Sequence, residues 1–203
     1  MIKLIISTMI AFLVMLNPFA MFLYLQPIMK ELKHKSFLKV LFRASAISFA
    51  ILLLFLISGE FLFEEVLQIR FESFRIFGGI IIFSFAYFFI VKGQLSLVHM
   101  KEDLDDLAAE IALPFMVGAG TISLTFLMAY EFTLLPGTFL LVAVLVINFV
   151  FIILLKYIRD HLPGRKLPVA FDKNMEVFMR LNGFFLGAIG INMIVMGLDH
   201  LYF

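Results

Sequence analysis

Uncharged apolar runs alternate with short polar connectors along the whole chain. Six runs stand out, near 4–29, 40–58, 74–92, 108–129, 134–156 and 178–198. About 20 apolar residues in a helix cross the roughly 30 Å of bilayer hydrocarbon. The pattern therefore predicts an all-α polytopic membrane protein with six transmembrane helices. A spanning barrel would show strands of about ten residues with alternating polarity, and that pattern is absent. The first run continues past the length of a signal-peptide core and lacks a small-x-small cleavage site, so it reads as a retained span. With no connector long enough for a soluble unit, residues 1–203 read as one membrane domain.

Two of the runs are interrupted. "AFLVMLNPFAMFLYLQPIM" carries Asn17-Pro18 in its middle, and "LPFMVGAGTIS" carries Pro114 and then Gly118-Ala119-Gly120. Proline removes a helix hydrogen bond and clashes with the preceding turn. Asparagine is a favoured N-cap and proline a favoured first helical residue. Asn17-Pro18 is thus expected to start a second half-helix, with the Asn17 side chain accepting from the N–H of Phe19 or Ala20. Gly118 is expected to end a half-helix in a left-handed conformation, with Gly120 or Thr121 capping the next. The first and fourth helices are predicted to be discontinuous.

The third run opens "FRIFGGIII" and the sixth opens "MRLNGFFLG", so Arg75 and Gly78 match Arg180 and Gly183 at one offset. With the two breaks at corresponding places, the chain reads as two three-helix repeats, 1–93 and 107–203. An odd number of helices per repeat sets the second on the opposite face of the membrane. Such inverted repeats, with broken helices meeting at the midplane, are typical of secondary transporters. Helix starts offer N–H donors and helix ends offer carbonyl acceptors. Together these suit a small zwitterion.

Charge sets the orientation. Six spans put Lys3, Arg70 and Arg75 on one side and the other 13 of the 16 Lys and Arg residues on the opposite side. Basic loops stay in the cytoplasm, so both termini are expected outside the cytoplasmic membrane. Tyr130 and Tyr202 are then outer interfacial anchors and Tyr157 an inner one. Composition agrees with membrane embedding: 63% of residues are hydrophobic and 15% charged, against about 45–50% and about 25% in soluble domains.

Enzyme chemistry has no foothold here. There is no Cys, and His34, His99, His161 and His200 fall in connectors or at the C-terminus without paired-ligand spacing. No metal or organic cofactor is expected. No carboxylate sits clearly in mid-span, so a buried acidic proton relay is unsupported. Nucleotide-binding and nucleic-acid motifs are absent. Asn148 and Asn192 read as buried polar groups, for interhelical hydrogen bonds or the cavity. The partners implied are a small-molecule substrate and the lipid bilayer. The sequence does not decide on a homo-oligomer, or on Na+ against H+ as the coupling ion.

The segments "LNPFAMFLYL", "FRIFGGIIIF", "ALPFMVGAGTIS" and "MRLNGFFLGAIGINMIVMGL" resemble, in this order, the MarC family of bacterial and archaeal membrane proteins. That family includes the SnatA-type transporters. The resemblance implies six helices and ion-coupled transport of glycine, alanine and similar amino acids. Carried onto this chain, it implicates Asn17, Pro18, Gly118, Gly120, Thr121 and Ser123, with Phe19, Ala20 and Ala119 beside them. The chain departs from the family pattern at Ala20, where Gly is usual, and at Ala119, where Pro is usual. Both departures fall at the breaks, so they bear on substrate identity more than on fold.

Overall fold

A computed structural model describes residues 2–59, 61–66, 68–91 and 104–202. The described residues form nine α-helices, two π-helical turns and no strand. Five helical stretches are long and apolar enough to cross a membrane: Ile2–Tyr24, His34–Ser58, Phe71–Val91, Leu134–Asp160 and Lys166–Asp199. The predicted run 108–129 is not one helix. It consists of α6 (Leu104–Ile111), a π turn over Ala112–Met116 and α7 (Ala119–Glu131). At about 1.5 Å per residue, α7 alone falls short of the hydrocarbon thickness.

The first run divides into α1 (Ile2–Leu16), α2 (Pro18–Tyr24) and α3 (Gln26–Glu31). The division at Asn17 matches the proline reading. A second, milder break at Leu25 was not expected, and it sits two residues before Pro27. Two connectors are shorter than expected. Helix α4 starts at His34, and α9 (Lys166–Tyr202) starts well before the apolar run, taking in Pro168 in its first turn. Proline is tolerated there because first-turn N–H groups have no intrahelical acceptor. Lys92, His99, Lys101 and the first half of the acidic "KEDLDD" segment lie outside the described residues.

Helix α4 (His34–Ser58) and α8 (Leu134–Asp160) begin at matching places, and their buried faces correspond position for position. Val40, Leu41, Ala44, Ser48, Leu52 and Leu56 on α4 match Leu140, Leu141, Val144, Asn148, Ile152 and Lys156 on α8. Helix α2 packs on α8 and on α9, and α7 packs on α4 and on α5 (Phe71–Val91). The main core gathers around α2, whose Phe22, Leu23 and Tyr24 are all buried. Most of α1, by contrast, shows one side to the surroundings.

Helices α5 and α9 run antiparallel along their length. Gly79 lies against Gly190, Gly183 against Ile90 and Ala86, and Gly197 against Ile76. A side chain at Gly79 would meet the Gly190 carbonyl oxygen at 2.6 Å. Small residues let helix backbones approach this closely where lipid offers no hydrophobic drive to associate.

Candidate functional site

The first break is built by Asn17 and Pro18. Asn17 adopts a left-handed backbone, φ 44° and ψ 71°, and caps α2 by accepting the Ala20 N–H at 3.1 Å. Of the two donors expected, Ala20 is therefore the one used. Pro18 has no N–H, so the Val14 carbonyl one turn earlier has no helical partner. Asn182 of α9 supplies one: its Nδ2 donates to the Val14 oxygen at 2.9 Å. Asn182 was not among the residues singled out from sequence. Its only sequence signal was an asparagine between Arg180 and Gly183.

The second break uses different chemistry. Gly118 is the N-cap of α7, yet its backbone is extended, φ −136° and ψ 176°. The expected left-handed glycine is not there. Of the two breaks, it is the other that holds a left-handed residue, Asn17. Thr121 closes the turn from within, its Oγ1 accepting the Gly118 N–H at 3.0 Å. Gly120 is helical and leaves space, not backbone freedom. A Cβ on it would meet Met15 Sδ at 2.7 Å and Ile82 Cδ1 at 2.8 Å. The preceding π turn is interrupted at Leu113, and Val117 closes it by donating to the Ala112 carbonyl at 2.9 Å.

One cavity touches both breaks. It holds about 90 Å³ and is lined by Asn17 and Ala20 from the first break and by Gly118, Gly120 and Thr121 from the second. Met15, Tyr24, Ile82, Phe85, Phe89 and Leu186 supply further wall, from α1, α2, α5 and α9. Among the described residues no charged side chain lines it. Asn17 is 3% exposed, and its Nδ2 has no hydrogen-bond partner. A buried amide N–H without an acceptor costs about 1–3 kcal/mol. First-turn N–H groups of α7 have no acceptor within their own helix, nor have the last carbonyls of α1 an intrahelical donor.

The remaining sequence candidates sit elsewhere. Pro18 is buried behind the wall, and the Phe19 ring turns away to pack on Phe151 and Phe178 at 5.5 and 5.3 Å. Ala119 is the first residue of α7. Ser123 is buried with an unpartnered Oγ but does not line the cavity. Asn148 is fully buried, its amide against Met21 Sδ at 3.5 Å. Asn192, expected to be buried, is exposed. Helical position alone does not separate inward from outward faces when both are apolar.

The whole chain carries a family signature as well as this cavity. The sequence model described as "MarC family integral membrane protein" matches residues 2–202. The chain belongs to the MarC family. Among relatives in this family, a UPF0056 membrane protein of Pyrococcus horikoshii is 22% identical over 198 residues, covering 97% of this chain and 94% of the relative. A UPF0056 membrane protein of Aquifex aeolicus is 26% identical over 204 residues, covering 97% and 92%. No solved structure matches the chain significantly. MarC membership makes this a multi-pass integral membrane protein, as the apolar helices require.

Proposed function

We propose that this MarC protein is a secondary transporter of small neutral amino acids such as glycine and alanine, working in the cytoplasmic membrane. The observation that carries the proposal is the small cavity bounded by both helix breaks, with no charged side chain in its wall among the described residues. The substrate carboxylate takes the first-turn N–H groups of α7 and the free Nδ2 of Asn17. The ammonium takes carbonyls at the end of α1, near Met15 and Leu16. Helix-end partial charges of about half a unit hold both groups of a zwitterion without any formal charge in the wall.

The transporter reading includes six membrane crossings, with the α6–α7 segment as the fourth, and two inverted repeats, 1–93 and 107–203. The matched burial of α4 and α8 supports the repeat. So does the exchange of partners, α2 lying on α8 and α9 while α7 lies on α4 and α5. Both termini face outward, with the basic connectors in the cytoplasm, and a Na+ or H+ gradient drives the cycle.

Counterflow of labelled glycine into proteoliposomes tests the function, with sodium and proton gradients varied separately. Glycine, alanine and serine should compete, because Met15 and Ile82 crowd the cavity wall at Gly120 and favour a small side chain. Leucine and phenylalanine should not. Absence of any amino-acid counterflow by folded protein would overturn the assignment. Competition by leucine as strong as by alanine would overturn the site.

A further inference from the structure

Asn192 is the misplaced polar group of this molecule. It lies on α9, 12 residues after Arg180 and seven before Asp199, or roughly 18 Å and 10 Å along the helix axis. On the six-crossing reading that depth is inside the hydrocarbon. Its side chain is nevertheless exposed, and its one hydrogen bond among the described residues is a weak one, Nδ2 to Met196 Sδ at 3.3 Å on the same helix. Its carbonyl oxygen has no partner there. An amide facing acyl chains pays the full cost of lost hydration.

The surface around Asn192 is shaped. A shallow, open groove lies between α5 and α9, with Phe83 on one side and Phe184, Gly187, Ala188 and Val195 along the other. Gly187 stands apart from its neighbours on α9. Gly183, Gly190 and Gly197 are held tightly against α5, where an added Cβ would meet other atoms at 2.6–3.0 Å. At Gly187 an added Cβ would meet only Ala86 Cβ, at 3.5 Å, which is ordinary contact. Packing within the chain therefore does not require a glycine at 187. With Ala188 it leaves a small-residue step one turn below the amide, as helices have where a second backbone comes close.

We propose that this face of α5 and α9 docks a second copy of the same chain in the membrane, each Asn192 amide pairing with that of the other copy about a two-fold axis. A carboxamide carries donor and acceptor together, so it is complementary to itself under two-fold symmetry. An acyl chain filling the groove would leave both unpaired. The cavity at the two helix breaks lies elsewhere, and the pairing does not depend on what that cavity binds.

The absence of cysteine permits single-cysteine cross-linking in membranes. Val195→Cys, on the groove, should give a cross-linked dimer, while Val146→Cys, an exposed control on α8, should not. In energy-transfer dilution experiments in liposomes, Asn192→Leu should weaken association roughly 3- to 30-fold, the range expected for interhelical hydrogen bonds. Asn192→Gln should retain most of it. Ala188→Trp, on an exposed position, should block it without unfolding the monomer. Equal cross-linking at 195 and 146 would overturn the proposal, as would an unchanged dimer with Asn192→Leu. So would a monomer that keeps a lipid on this face in native mass spectrometry.

Discussion

Asn17 combines two properties that few residues share: it accepts a left-handed backbone, and its side chain caps the helix that follows. Glycine keeps the first property only, and alanine keeps neither. Asn17→Ala should therefore lower stability by about 1–3 kcal/mol from lost capping and strain together. Asn17→Gly should cost only a few tenths. Thermal unfolding in detergent checks the order. If the free Nδ2 holds substrate, both variants lose glycine counterflow, although the glycine variant remains folded. Full counterflow by Asn17→Gly would reduce the break to a kink. Asn182→Leu should strand the Val14 carbonyl at the same break and cost about 1–3 kcal/mol, with Asn182→Gln recovering part of it. The capping role of Asn17 was readable in the chain because a cap is a contact between residues three apart. The role of Asn182 was not, because its acceptor lies 168 positions away.

At the scale of elements, the α5–α9 pair tests how far close packing matters. A methyl group on Gly190 would approach the Gly79 carbonyl oxygen at 2.8 Å and the Phe83 nitrogen at 2.9 Å. Backbone atoms do not swing aside as a side-chain tip does. Gly190→Ala should cost about 1–3 kcal/mol by overpacking, while Gly187→Ala should leave the monomer's melting temperature unchanged. Equal melting of the two variants would show that the helices can separate freely. Of the Arg and Gly pairs noticed in the sequence, Arg75 lies in the second turn of α5 and Arg180 well inside α9. Gly78 and Gly183 are buried. Arg75 lies over the Phe71 ring at 5.3 Å, while Arg180 donates to the Ile90 carbonyl at 2.8 Å. The broken fourth run shows where apolar length misleads. Leu113, Val117 and Gly118 leave helical geometry, so a run that reads as one span is two short helices.

For the whole molecule, the basic residues predict one orientation. Arg159 at the end of α8 holds Asp172 near the start of α9 by two bonds of 2.8 and 3.0 Å, and Lys156 pairs with Asp160 beside them. This corner is charged and paired. Cysteines placed singly at Lys3 and at Arg165, in a chain with no other cysteine, should label oppositely with an impermeant maleimide. The first should react in intact cells and the second only after permeabilisation. The reverse pattern would invert the molecule, and labelling of both from outside would end the even-numbered topology.

By itself the sequence determined that the chain is helical and membrane-embedded, roughly where most of its spans lie, and where the first and fourth runs break. Those properties are local or additive: the length of an apolar run against the thickness of hydrocarbon, and the missing N–H of Pro18. Only the tertiary structure decided that Asn17 and Gly120 line one cavity, that Tyr24 and Leu186 join them, and that Asn148 is buried while Asn192 is not. In a soluble protein a polar stripe would mark the outer face of each helix. Here protein interior and lipid are equally apolar, so hydrophobic pattern carries no record of which face turns inward, and only packing between distant helices settles it.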